Sequence, residues 1–141
     1  MRLEKRILVV DDDDAIRALV ATVLRRRGLS VDTARHGAEG MERIAAHRYG
    51  LVVLDLMMPL VSGYEVLEHL SRMAVSVRPL VLVLTAGLEP KMLDSNLVIG
   101  TIHKPFDIEL LIETVVACLA ALTDPREAGT DGEKLLSDEA N

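Results

Sequence analysis

Apolar and polar positions fall into blocks along this chain, and the blocks follow two periods. Ile7–Val10 is a short apolar, β-branched run bounded by charge, which predicts a buried strand. Ile16, Leu19, Val20, Val23 and Leu24 then recur at helical spacing, one apolar face that Gly28 can stop. Residues 29–34 predict a second strand. Ala38, Met41, Ile44 and Ala45 predict a second helix. A third strand covers residues 51–54 and ends at Asp55. Pro59 and Gly63 mark a loop, and Val66, Leu67, Leu70 and Met73 outline a third helix. Residues 80–84 predict a fourth strand ending at Thr85, and Val98–His103 a fifth ending before Lys104-Pro105. Asp107 can cap a last helix whose face is Ile108, Leu111, Ile112, Val115 and Leu119.

Strands that alternate with helices imply βαβ units, a parallel sheet and helices on both of its faces. The strands read as apolar at every residue rather than at alternate ones, as a sheet covered on both sides requires. The fold class is therefore α/β, with one domain over residues 1–122. Residues 123–141 carry six acids, two bases, Pro125, Gly129 and Gly132, with Leu135 and Leu136 the only large apolar pair. That composition predicts a disordered acidic tail.

Composition sharpens this picture by exclusion. Half of the 141 residues are apolar, too many for a disordered chain, and only Tyr49, Tyr64 and Phe106 are aromatic. So few aromatics argue against a base-stacking nucleic-acid binder, and no direct nucleic-acid contact is expected. No apolar run reaches the ~20 residues that span a bilayer, so no membrane contact is expected either. The single cysteine, Cys118, excludes an internal disulfide framework and suits a reducing, cytoplasmic setting. Arg25, Arg26 and Arg27 form the one basic cluster and suit a helix C-terminal turn. The formal net charge is -6, and outside the tail it concentrates in the consecutive acids Asp11, Asp12, Asp13 and Asp14. Like charges in a row need a compensating partner or divergent side chains. Asp13 and Asp14 suit a helix start, where the dipole favours an acid.

Ligands of an open parallel sheet bind outside the carboxyl ends of its strands. Those ends carry Asp11 and Asp12 after the first strand, Asp55 after the third, Thr85 after the fourth and Lys104 after the fifth. Three carboxylates brought together repel unless a cation joins them, and oxygen-only donors suit Mg²⁺. A lysine and a hydroxyl at the same spot suit an anion. The set fits phosphoryl transfer onto a carboxylate, with Asp55 as nucleophile.

The segments ILVVDDDD, LVVLDLMMP, VLVLTAG and IHKPF, in this order, resemble the signatures of the response-regulator receiver domain of two-component signalling, over about residues 6–122. The resemblance implies a flavodoxin-like, doubly wound five-stranded parallel sheet of order 2-1-3-4-5. It also implies that Asp55 is the phosphorylation site, that Asp12 binds Mg²⁺ directly with Asp11 assisting through water, and that the Met57 backbone carbonyl is a further metal ligand. Thr85 and Lys104 would contact the phosphoryl group, and the Lys104–Pro105 peptide would be cis. The donor would be a sensor histidine kinase or a histidine phosphotransfer protein.

Three features depart from the family pattern. Thr101 stands where relatives carry Tyr or Phe, so Thr85 and Thr101 would form the switch. The interval from Thr85 to Lys104 is short and leaves only a short or irregular fourth helix between Glu89 and Asn96, with a monomer or weak dimer expected. Met57 and Gly87 cannot orient a water with a side chain, which implies slow loss of the phosphoryl group. With no output domain in these residues, signalling by contact with a further, unknown protein is expected, without enzymatic turnover of other substrates. Two other readings compete: a small Mg-dependent phosphatase of the haloacid dehalogenase type using Asp11 and Asp13, and a receiver-like scaffold that works without phosphorylation.

Overall fold

The structure is a computed structural model, and it describes residues 5–87 and 93–122. Nine elements follow one another: β1 (Ile7–Val10), α1 (Asp14–Arg26), β2 (Val31–Ala34), α2 (Gly37–Ala46), β3 (Leu51–Asp55), α3 (Gly63–Ser71), β4 (Leu80–Thr85), β5 (Val98–His103) and α4 (Ile108–Ala120). The strands form one sheet in the order β2-β1-β3-β4-β5, and every neighbouring pair is parallel. This is the expected α/β, doubly wound architecture.

Strand alternation divides the core in two. Leu8, Val10, Val52, Leu54, Val81 and Val83 point to one face, where α2 and α3 add Ile44, Val66, Leu67 and Leu70. Ile7, Val9, Leu51, Val53, Leu82 and Leu84 point to the other, against Val20, Ala21 and Leu24 of α1 and Leu111, Ile112, Val115 and Leu119 of α4. Full burial of each such aliphatic side chain contributes about 1.5–3 kcal/mol, so the three central strands dominate the core.

Several expected details change. The second strand starts at Val31, not 29: Gly28 ends the turn after α1 at φ +83°, and Leu29 N–H still bonds the Leu24 carbonyl. Continuous burial holds for β1 and β3 and, after half-buried Leu80, for β4, but not for the edge strands. Asp32 and Thr33 of β2 are half-buried, and Ile99, Thr101 and His103 of β5 are exposed. On α2 the buried residues are Gly37, Gly40 and Ile44, with Met41 partly covered, while Ala38 and Ala45 face solvent. The reason is close approach: a Cβ on Gly37 would lie 2.6 Å from Val61 Cγ1, and one on Gly40 would lie 3.2 Å from Val10 Cγ2. Leu19 of α1 is likewise half-exposed. Of the expected segment between Glu89 and Asn96, residues 89–92 lie outside the described residues. Beyond them, the N–H groups of Leu97 and Val98 close a turn onto the Asp94 carbonyl at 3.0 and 2.8 Å. The acidic tail, residues 123–141, also lies outside the described residues. No helix among the described residues is long and apolar enough to cross a membrane.

Candidate functional site

The parallel register brings the carboxyl ends of β1, β3, β4 and β5 to one edge of the sheet. Asp55 closes β3 opposite Leu84, and Thr85 closes β4 opposite His103. Asp11 follows β1, and its N–H still bonds the Ala34 carbonyl of β2. Lys104 follows β5, and its N–H bonds the Thr85 carbonyl at 2.8 Å. The Lys104–Pro105 peptide is cis, as the motif implied.

Asp11, Asp55 and Thr85 are the buried polar side chains of the described residues. Asp11, Asp12 and Asp55 each offer a carboxylate oxygen, and these atoms lie within 4.8 Å of one another. Lys104 Nζ sits 3.0 Å from Asp11 Oδ2 and 3.5 Å from Asp55 Oδ2. Asp11 Oδ1 accepts the Asp13 N–H, but buried Oδ2 receives no aligned hydrogen bond and relies on the lysine charge. One ammonium thus faces three carboxylates, and the negative charge is under-compensated. Burial, and next the Asp11 carboxylate, push Asp55 up to about 7; the Lys104 ammonium and the Met57 N–H act in the opposite direction. Burial lowers Lys104, but the Asp11 contact and the two carboxylate charges outweigh it and hold the ammonium above its usual range. Closely spaced oxygen donors with one buried, poorly satisfied atom fit a hard divalent cation, which would relieve that excess.

Other side chains set this geometry. Asp13 is the N-cap of α1, with Oδ1 accepting the N–H groups of Ala15 and Ile16, so it is committed to the helix start. The phosphatase reading, which needs Asp11 and Asp13 as a working pair, therefore loses its second acid. Arg17 was not singled out from sequence. Its guanidinium donates to the Asp11 carbonyl at 2.9 Å and to Asp14 at 2.6 Å, anchoring the turn that presents Asp11 and Asp12. An arginine one turn into a helix that follows an acidic run is a readable signal for such an anchor. Gly63 is pressed against the site: a Cβ there would lie 2.5 Å from the Asp55 carbonyl oxygen. Ser62 caps α3 in a reciprocal box with Glu65, and its S-x-x-E spacing was legible but unused.

Thr85 Oγ1 accepts the Gly87 N–H at 3.0 Å, so its hydroxyl is parked locally. Thr101 is exposed on β5 and registers with Val83, while His103 is the residue registered with Thr85. Met58 is buried, while the Met57 side chain is 60% exposed. Cys118 is half-buried against the α4 face of the core, and burial pushes its thiol up, as expected of a packing residue. His36 has a task that sequence reasoning missed: its Nδ1 accepts the Glu39 N–H at the start of α2.

The family model for the response regulator receiver domain matches residues 7–116. The chain belongs to the response-regulator receiver family. This receiver is 37% identical over 136 residues to the response regulator MprA of Mycolicibacterium vanbaalenii, covering 94% of the chain and 58% of that protein. It is 38% identical over 115 residues to the transcriptional regulatory protein CutR of Streptomyces coelicolor, covering 79% of the chain and 52% of the relative. The receiver thus spans little more than half the length of these curated relatives. Among solved structures, it superposes on the response regulator TrrA of Thermotoga maritima in complex with Mg²⁺ and BeF (TM-score 0.71, 34% identity, 81% of this chain and 98% of that one). It also superposes on a CheY-like receiver domain of Methanospirillum hungatei (TM-score 0.74, 29% identity, 84% and 96%). Receiver domains are signalling modules of two-component systems, and the flavodoxin-like order of this sheet agrees with that membership.

Proposed function

We propose that this receiver takes a phosphoryl group from a phosphohistidine onto Asp55, with Mg²⁺ held by Asp11, Asp12, Asp55 and the Met57 carbonyl. The observation that carries the reading is the buried cluster itself: Lys104 Nζ within 3.5 Å of two carboxylates, at a strand end beside a buried threonine hydroxyl. The cation, when bound, supplies positive charge against the phosphoryl oxygens. An oxygen of Asp55 attacks phosphorus and forms the acyl phosphate bond. The P–N bond breaks, and its electron pair stays on the imidazole nitrogen of the donor, which takes a proton. Lys104 neutralises charge on the transferring group from the other side. The Thr85 hydroxyl leaves the Gly87 N–H and turns to a phosphoryl oxygen. That movement at the end of β4 is the start of the switch, with Thr101 on the adjacent strand as its outer element.

The donor in this reading is a sensor histidine kinase or a histidine phosphotransfer protein in the cytoplasm. The output is contact with a further protein, and the protein's own chemistry is confined to gaining and losing its phosphoryl group. Incubation with Mg²⁺ and acetyl phosphate, followed by intact mass measurement, tests the acceptor. One added phosphoryl group is expected on the wild type and none on Asp55→Asn. Equal labelling of the variant, or no labelling of the wild type, sinks the reading.

A further inference from the structure

Leu60 is the most exposed large aliphatic side chain among the described residues, at 97%, and its backbone sits at φ +66°. Residues that follow proline at positive φ, as Leu60 follows Pro59, occupy a turn position where Gly or Asn is ordinarily found. Leucine meets a steric cost there and, at this exposure, recovers almost nothing by packing. An exposed apolar side chain at a strained position points outward to a contact rather than inward to stability.

The loop that carries it is tied to the phosphoacceptor. Gly63 N–H bonds the Leu56 carbonyl at 3.0 Å and closes residues 57–62 into a turn. Gly63 itself packs on the Asp55 backbone, 2.5 Å from a would-be Cβ to the carbonyl oxygen. Leu60 is three residues from Gly63, so its Cα lies no more than about 11 Å from that glycine. Met57, at the same loop's start, exposes 60% of its side chain. Asp55 is only 2% exposed and is the last residue of β3, so a protein donor must bring its phosphohistidine down to a carboxylate from which this loop directly departs, with the loop as part of the rim.

We infer that Leu60, together with Met57 of the same loop, is an apolar anchor for the protein that delivers the phosphoryl group, contacting an apolar surface next to the donor's phosphohistidine. This rests on Asp55 being the phosphoacceptor. A protein donor must cover the rim, whereas a small donor such as acetyl phosphate need not touch it.

The test compares two donors. The protein donor is an autophosphorylated histidine-kinase core, chosen as the fastest donor to the wild type among the kinases of the same genome. In Leu60→Gly, kcat/KM for this donor falls about tenfold or more, mainly through KM, while labelling by acetyl phosphate stays within about twofold. Leu60→Met restores most of the loss. Leu60→Gly keeps or raises the melting temperature, because glycine takes positive φ freely. Unchanged transfer from the kinase, or a parallel fall with both donors, overturns the anchor. A dimer that forms only with Leu60 present, with transfer unchanged, overturns it in favour of self-association. If acetyl phosphate fails to label the wild type, the acceptor reading has failed before the anchor is reached.

Discussion

Asp32 and Asp55 both belong to strands, and their surroundings move their acidity in opposite directions. Burial would raise Asp32, but the Tyr49 hydroxyl at 2.6 Å and the Arg6 guanidinium at 3.3 Å outweigh it and hold the carboxyl below its usual range. Its contribution to stability is present above the unfolded carboxylate value of about 3.9 and is lost as pH falls through the lower folded value. Asp55 has the reverse sign. With its folded value pushed up to about 7 by burial and Asp11, the folded protein binds the extra proton. Its contribution is full below about 4 and is lost as pH rises toward 7. Without divalent cation, Asp55→Asn is therefore more stable than wild type at pH 8, by about 2 kcal/mol, and the gap closes by pH 4. Urea unfolding of both proteins in a chelator, at pH 4 and pH 8, measures it; a gap that is absent at pH 8 or equal at both contradicts the assigned electrostatics. The Tyr49–Asp32 pair could not be read from the sequence, because it depends on how separate elements are set side by side; the local Arg17–Asp11 contact left a signal that was not used.

At the scale of elements, the three central strands and the faces of α3 and α4 follow from apolar periodicity, since Val66, Leu67, Leu70 and Leu111, Ile112, Val115, Leu119 are the buried sets. The edges were less legible. A parallel strand is apolar throughout only where both faces are covered, and β2 and β5 each have one neighbour strand and thinner cover. The α2 face was half legible: Met41 and Ile44 do meet the core, but Gly37 and Gly40 are buried beside them in place of Ala38 and Ala45, and a glycine buried for close approach leaves no hydrophobic signature. Gly63 combines that role with the site. Gly63→Ala drives a Cβ into the Asp55 carbonyl oxygen and the Leu56 Cα, both backbone, so neither can yield cheaply. A loss of about 2–4 kcal/mol in unfolding free energy is expected, together with slower labelling of Asp55. Denaturant curves and acetyl phosphate kinetics on the same preparation check both; full stability with full labelling contradicts the packing account.

At the scale of the whole molecule, the site was readable because topology does the assembling. A parallel sheet sends every strand's carboxyl end to one edge, so Asp11, Asp55, Thr85 and Lys104 could be grouped from strand assignments alone. Topology does not give the balance of charge, with one lysine shared between Asp11 and Asp55, nor the exposed Leu60. The molecule also offers no side-chain acid or amide at Met57 or Gly87 to orient an attacking water. The acyl phosphate is accordingly expected to decay over minutes or longer once donor is removed, followed by intact mass with time; loss within seconds contradicts that. In this reading one carboxylate of the buried cluster, Asp55, carries the phosphoryl group. Borohydride reduction after labelling with Mg²⁺ and acetyl phosphate converts an aspartyl phosphate to homoserine, which peptide mass mapping locates. Homoserine is expected at position 55 alone, with none when the cation is chelated; homoserine at position 11 or 12, or none in the presence of Mg²⁺, would rule out Asp55 as the acceptor.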